Sequence, residues 1–212
     1  MNRIAHHPFR EATAVVLAGG ESTRMGGTNK LLFPLDGHPL LAYILQSLSA
    51  FPFRRILVVT GYQRALLEAF LFDWPATAVH NPDWAEGMGT SVRTGVSADP
   101  GATGYLIVPG DMPLIHPALL EALAEAWGKA GSRSIVRPVH ADRPGHPVIF
   151  GGRFREELMG LDGERGGAAV IGANREALVE IAWPDDRCCR DVDRVEDLAV
   201  LTGRLHRPAQ GS

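Results

Sequence analysis

The 212-residue chain has the length and composition expected of one α/β unit. Hydrophobic residues make up 45% of it and charged residues 21%, which is ordinary for a protein that buries a core. The formal net charge of -3 does not favour a nucleic-acid or membrane-surface protein, so any affinity for phosphate has to be local. No run of about 18 apolar residues exists, and residues 1–11 are polar, which predicts a cytoplasmic protein.

Apolar runs alternate with amphipathic segments, which predicts a doubly wound α/β fold: a mostly parallel sheet with helices on both faces. The predicted strands are 13–17, 55–60, 77–79, 105–108, 134–139, 147–150 and 178–183. The predicted helices are 39–48, 65–72, 90–97, 117–127, 153–160, 167–173 and 195–204. We expect one domain over 1–212, with a core at about 12–205 and flexible tails.

Two local features accompany this pattern. Strands 134–139 and 147–150 bracket the turn Asp142–His146, which predicts a small antiparallel flap. The only cysteines, Cys188 and Cys189, are neighbours that cannot easily adopt relaxed disulfide geometry, and they lack C-x-x-C spacing. We therefore expect two structural thiols ahead of a strand.

A glycine-rich, basic stretch, Leu17-Ala-Gly-Gly-Glu-Ser-Thr-Arg-Met-Gly-Gly-Thr-Asn-Lys30, directly follows the first apolar run. Backbone N–H groups at Gly19 and Gly20, with the cations Arg24 and Lys30 beyond them, are suited to a polyphosphate. The stretch is not a P-loop, because the lysine is displaced from G-x-x-x-x-G-K-[ST], and it lacks the G-x-G-x-x-G of dinucleotide-binding loops.

This stretch resembles the L-A-[GA]-G-x-S-x-R-M-G-x(1–3)-K signature of the MobA-like nucleotidyltransferases, which join a nucleoside monophosphate to a phosphorylated acceptor. The resemblance extends over roughly residues 12–202. It implies a Rossmann-like nucleotidyltransferase fold, catalytic roles for Arg24 and Lys30, and a nucleotide seat formed by Leu17, Ala18, Gly19, Gly20, Arg24 and Lys30.

A second segment, Val108-Pro-Gly-Asp-Met-Pro-Leu114, follows a predicted strand, where open α/β sheets place ligands. On composition alone, Asp111 could be an ordinary turn residue. The segment resembles the P-x-D-M-P of MobA-like enzymes, which implies that Asp111 is catalytic and holds Mg²⁺ and that Gly110 lies against the nucleotide.

A third segment, Asp191-Val-Asp-Arg-Val-Glu-Asp-Leu198, resembles the D-[IV]-D-T-P-E-D-L run of the same family, with Arg194 and Val195 in place of Thr-Pro. It implies a second metal ligand at Asp193, with Asp191 as the lesser candidate. A charged helix start, with acidic residues complementing the helix dipole, explains either residue equally well.

Three stretches resemble the molybdenum cofactor cytidylyltransferase branch of the family, the first of which is residues 31–41. Residues 81–93 match N-x-x-W-x-x-G-M-x-x-S, and Gly145-His-Pro-Val-Ile-Phe150 matches G-[HN]-P-V-[LI]-F. They imply nucleotide contacts at Asn81, Gly87 and Ser91 and acceptor contacts at Met88, Ser91 and His146. His146 beside a proline is also compatible with a structural role. Residues 161–167 parallel G-D-x-G-[AG], with Glu164 where aspartate is usual.

Taken together, the resemblance implies transfer of CMP from CTP to a phosphorylated cofactor precursor such as molybdopterin, with Mg²⁺ and release of pyrophosphate. A molybdoenzyme is a possible protein partner, and neither nucleic acid nor a membrane is expected. The loop length of Arg-Met-Gly-Gly-Thr-Asn-Lys30 matches the guanylyl branch instead, but a loop tolerates single insertions at little cost. The alternatives are guanylyl transfer, transfer to a sugar or alcohol phosphate, and a non-catalytic module that binds nucleotide and hands over a cofactor.

Overall fold

A computed structural model describes residues 6–21, 29–192 and 197. Its centre is an eight-stranded sheet with the spatial order β10-β7-β9-β6-β1-β4-β5, and β8 pairs with β7 outside this path. The strands are β1 Ala12–Ala18, β4 Arg55–Thr60, β5 Thr77–His80, β6 Gly104–Pro109, β7 Ile135–His140, β8 Arg143–Pro144, β9 Val148–Gly151 and β10 Leu178–Ala182. β2 Pro34–Leu35 and β3 His38–Pro39 form a separate antiparallel pair.

The α-helices of the described chain cover both faces of the sheet. They are α1 Leu40–Ser49, α2 Arg64–Leu71, α3 Met88–Ser97, α4 Pro117–Ala130, α5 Arg155–Met159 and α6 Ala168–Ala173. In β1, Ala14 and Val16 pack into the apolar cluster that contains α1 and α4, whereas Val15 packs into the cluster that contains α3 and α5. This alternation in a strand that is buried everywhere except at Leu17 confirms the doubly wound fold.

One glycine in α3 and one proline in α4 explain the positions of these two helices. Gly95 lets α3 lie directly against Val15 and Val59, since a β-carbon there would meet both side chains. Pro117 occupies the first turn of α4, as predicted, and the His116 ring accepts a hydrogen bond from Ala118 N at 3.2 Å. Within the described residues, no helix is both long and apolar enough to cross a membrane.

The antiparallel elements are present, but β9 does not project from the sheet as the predicted flap. β9 pairs antiparallel with both β6 and β7 inside the main sheet. The reason is burial on both faces, because Ile149 joins one apolar cluster while Val148 and Phe150 join the other. The exposed part is the β7–β8 turn together with β8, and the turn residues Ala141 and Asp142 have φ of 47° and 62°.

The cysteines differ from their predicted position ahead of a strand. They end the short 3₁₀ turn Asp186–Cys189, which follows β10 and is capped by the Asp185 side chain accepting from Arg187 N at 3.0 Å. In the described residues no strand comes after them. Both are free thiols. The predicted last helix, 195–204, lies outside the continuous described ranges.

Candidate active site

The order in which strands are added to the sheet changes sides at β1. β4 and β5 extend the sheet on one side of β1, and β6 then pairs with β1 on the other side. Leu17 and Pro109 are register partners at the carboxyl ends of β1 and β6, and Gly110 N donates to Leu17 O at 2.9 Å. The glycine-rich loop and the Asp111 segment therefore meet at a topological switch point, the expected ligand position in such sheets.

A cavity of about 490 Å³ opens at this edge. One side is formed by residues that end β1 and start the glycine-rich loop: Leu17, Ala18, Gly19 and Gly20. Another wall is the start of α3, at Gly87, Met88 and Ser91, and Lys30 and Asp111 also line the cavity. The structure thus brings nine of the predicted site residues together in one cavity.

Lys30 and Asp111 form an ion pair in the cavity. Lys30 Nζ donates to Asp111 Oδ2 at 2.6 Å and to the backbone carbonyl of Val192 at 3.0 Å, while Val192 N donates to Asp111 O at 3.0 Å. The side chains are 19% and 17% exposed, respectively. Lys30 starts a 3₁₀ turn that is capped by the buried Asn29, so its position at the exit of the loop is fixed.

Burial raises the pKa of the Asp111 carboxyl above its ordinary value, and the nearby Lys30 ammonium opposes that rise. Asp111 Oδ1 is buried without a hydrogen-bond partner among the described residues. An unpartnered carboxylate oxygen on a residue that lines the same cavity as the glycine-rich loop fits a divalent cation. The described residues contain no cluster of three or more histidine, cysteine, aspartate or glutamate side chains that could hold a metal. Mg²⁺ does not require such a cluster, because it is usually bound by one or two carboxylates plus substrate phosphates.

Asn81 lies beneath the α3 wall and does not line the cavity formed by the described residues. It is only 1% exposed. Its Nδ2 donates to Thr90 Oγ1 at 2.9 Å and to Ser91 Oγ at 3.0 Å, and its Oδ1 accepts from Asp83 N at 3.0 Å. The amide therefore fixes the start of α3, including the Ser91 hydroxyl that faces the cavity.

The α3 wall is also held from the other side. Gly87 has a φ of 120°, and Gly89 N donates to Gly163 O at 2.8 Å. A β-carbon at either glycine would collide with the backbone of residues 162–164. Glycine is therefore required at both positions, and the close approach brings Glu164 to the cavity rim.

The other predicted site residues lie around the cavity or beyond the described ranges. Gly110 packs behind it against Leu17 O and Leu31. His146 does not line it; its backbone N donates to Cys188 O at 2.7 Å, and burial lowers the pKa of its imidazole while the charge of Asp191 opposes this. The charge of Asp191 also acts on Asp111. Arg24 and Asp193 lie outside the described residues.

Several contributions to the site were not among the predicted residues. Trp84 and Glu164 line the cavity. Both stand inside matched motifs, as the tryptophan of N-x-x-W and the changed position of G-D-x-G, so the motifs contained a signal for them. The Val192 carbonyl that binds Lys30 had none, because a backbone group leaves no mark in the sequence.

Fold and site together define an α/β nucleotidyltransferase, in which a glycine-rich loop and an Asp–Lys pair meet at the switch point of the sheet. The chain belongs to the family of the MobA-like NTP transferase domain, whose model matches residues 14–178. This confirms the family inferred from the sequence motifs.

Similar proteins agree with this assignment. The bifunctional protein GlmU of Zymomonas mobilis is 36% identical over 151 residues, which are 69% of this chain but 32% of GlmU. The chain thus spans about a third of the length of that relative. The molybdenum cofactor cytidylyltransferase of Escherichia coli K12 is 32% identical over 136 residues, 64% of this chain and 67% of that enzyme.

Solved structures give the same fold. The crystal structure of Rv0371c from Mycobacterium tuberculosis H37Rv superposes with a TM-score of 0.79 at 28% identity, covering 91% of this chain and 97% of Rv0371c. A structure of the same protein complexed with manganese gives a TM-score of 0.72 at 26% identity, covering 92% and 97%.

Proposed function

We propose that this protein transfers CMP from CTP to the phosphate of a cofactor precursor, molybdopterin, with Mg²⁺ and release of pyrophosphate. The observation that carries the transferase part is the convergence of Gly19, Gly20, Lys30 and Asp111 in one cavity at the switch point. The similarity to the E. coli molybdenum cofactor cytidylyltransferase supports the base and the acceptor. A molybdoenzyme that receives the product is the protein partner that this function implies.

The residues in the cavity match the needs of this reaction. An acceptor phosphate is anionic at neutral pH, so it needs alignment and charge neutralisation rather than a dedicated general base. Lys30, the Gly19 and Gly20 amides and Arg24 would stabilise the pyrophosphate as it leaves. Asp111, with Asp193 as a second ligand, would hold Mg²⁺. Bound there, the ion would neutralise negative charge on the phosphates.

The α3 wall would serve the nucleotide and the acceptor. Met88 and Ser91 line the same cavity as Gly19 and Gly20, so an acceptor bound in this cavity would lie near them. Asn81 would act on the nucleotide through Ser91, whose hydroxyl it holds at 3.0 Å. An acceptor contact at His146 rests on the motif resemblance alone, because His146 does not line the cavity and its unpartnered Nδ1 is buried among the described residues.

We propose CTP rather than GTP because three stretches resemble the cytidylyl branch and only the length of one loop resembles the guanylyl branch. Residues 31–41, the Gly87-Met88 segment and the Gly145–Phe150 element resemble the cytidylyl branch, whereas only the spacing before Lys30 resembles the guanylyl branch. A pocket that hydrogen-bonds one base leaves buried polar groups unpaired with the wrong one, so discrimination should be large.

A sugar or alcohol phosphate is the second candidate acceptor. The chain is at least as similar to GlmU, at 36% identity, as to the cytidylyltransferase, at 32%. The name of GlmU does not mention the molybdenum cofactor. A non-catalytic nucleotide-binding module is the alternative of another class.

Pyrophosphate release distinguishes these functions. Purified protein is given Mg²⁺ with CTP or GTP, each paired with molybdopterin, a hexose 1-phosphate or no acceptor. We expect release with CTP and molybdopterin well ahead of the other pairs, and none from Asp111→Asn. A GTP preference overturns the base, release only with the sugar phosphate overturns the acceptor, and no release with any pair favours the non-catalytic module.

A further inference from the structure

Lys30 neutralises the same carboxylate that the proposed metal requires. Its Nζ lies 2.6 Å from Asp111 Oδ2, and both side chains are less than one-fifth exposed. Charges this close and this well shielded from water interact strongly. An ammonium on one carboxylate oxygen therefore weakens the attraction of Asp111 for a second cation.

The other carboxylate oxygen, Asp111 Oδ1, does not contact Lys30 but still feels its charge. Asp111 Oδ1 is buried and has no hydrogen-bond partner among the described residues. A divalent ion there would share one carboxylate with the Lys30 ammonium, and the two cations would repel each other. Tight metal binding therefore favours displacement of Lys30 from Oδ2.

A triphosphate bound in the cavity would give Lys30 a second anionic partner. Lys30, Gly19 and Gly20 line the same space, so a triphosphate seated on the glycine amides comes within reach of the ammonium. The lysine side chain has four flexible carbons and can turn from Asp111 to a phosphate without backbone movement. Such a turn also gives up the 3.0 Å bond to the Val192 carbonyl.

We propose that Lys30 is exchanged between Asp111 and the triphosphate, so that metal binding at Asp111 depends on bound nucleotide. Nucleotide draws the ammonium away and restores the full charge of the carboxylate, and by reciprocity the metal strengthens nucleotide binding. The inference rests on the proposed function only in its need for a triphosphate and a divalent metal. It is independent of the base and of the acceptor.

The first test measures Mn²⁺ binding to the full chain by electron paramagnetic resonance, without nucleotide, acceptor or turnover. We expect weak binding by the wild type and binding about tenfold tighter, or more, by Lys30→Met, since the competing charge is gone. Lys30→Gln guards against local unfolding, because its amide can still donate to the Val192 carbonyl. Lys30→Arg keeps the charge and should stay near the wild type.

Two controls make this test specific. Lys129 is the only other lysine and lies exposed near the end of α4, so Lys129→Met makes the same change in net charge far from the cavity and should leave Mn²⁺ affinity unchanged. Asp111→Asn should abolish the gain when combined with Lys30→Met. Equal Mn²⁺ affinity in the wild type, Lys30→Met and Lys30→Gln overturns the proposal.

The second test follows the lysine itself. With ¹³Cε-labelled lysine the chain gives two lysine signals, Lys129 serving as the internal reference. Metal-free tripolyphosphate, which carries no base, should shift the Lys30 signal and leave that of Lys129 in place. A Lys30 signal that stays fixed while the Gly19 and Gly20 amides respond overturns the exchange. Failure of CTP turnover with both tests positive removes only the proposed base and acceptor.

Discussion

The variant Asn81→Ala tests whether Asn81 supports the cavity wall or contacts the nucleotide directly. The variant removes two donated bonds, to Thr90 and Ser91, and one bond accepted from Asp83 N. At about 0.5–1.5 kcal/mol each, three such bonds predict a loss of about 2–4 kcal/mol in the free energy of unfolding. Because Ser91 loses its anchor, affinity for CTP should fall as well.

Asn174→Ala is a matched control for this experiment. Asn174 is 7% exposed and also makes three side-chain hydrogen bonds, with Arg153, Glu157 and the Val170 carbonyl, but it lies away from the cavity. Urea unfolding should show similar losses for the two variants, whereas CTP titration should show weaker binding only for Asn81→Ala. Weaker CTP binding with unchanged stability would refute the structural role and make Asn81 a direct nucleotide ligand.

Three further predictions concern the site and the packing of α3. Asp111→Asn keeps the side-chain shape but removes the charge, so turnover should fall about 100-fold or more while circular dichroism shows a folded protein. Lys30→Ala should lower kcat/KM by about 2–4 kcal/mol in barrier terms, and unchanged kinetics in the folded fraction would contradict its role on pyrophosphate. Gly95→Ala should destabilise by about 1–3 kcal/mol in urea, because the methyl group meets Val15 and Val59. Gly172→Ala, where no atom lies within 4 Å, should instead stabilise by about 0.5–1 kcal/mol, and equal effects of the two would contradict the packing.

The strands and helices that the sequence predicted well are those with a local cause. β1 is an apolar run closed by two glycines, and β4 is a run of β-branched and aliphatic residues closed by Gly61. The amphipathic helix α4 begins at a proline where a first turn tolerates one. Each of these signals lies within a few residues of the element that it defines, so no tertiary information was needed.

β9 shows where local signals end. The sequence predicted an antiparallel pair of strands 134–139 and 147–150, and β7 and β9 do pair in this way. It did not predict the second pairing of β9, because β6 lies further away along the chain. The same limit applies to Asn81, which its motif marked as part of the site. Whether a buried amide binds a ligand or a neighbouring hydroxyl depends on what the fold packs against it.

The Lys30 cluster is the clearest case of a site that only the fold reveals. Lys30 is 81 residues from Asp111 and 162 from Val192, and the contact to Val192 is made through a backbone carbonyl. The motifs predicted that a lysine and an aspartate would share one phosphate site, but not that they would bind each other. Since the pair places a cation on the carboxylate that we propose as the metal ligand, the proposed dependence of metal binding on nucleotide follows from this contact and not from either motif alone.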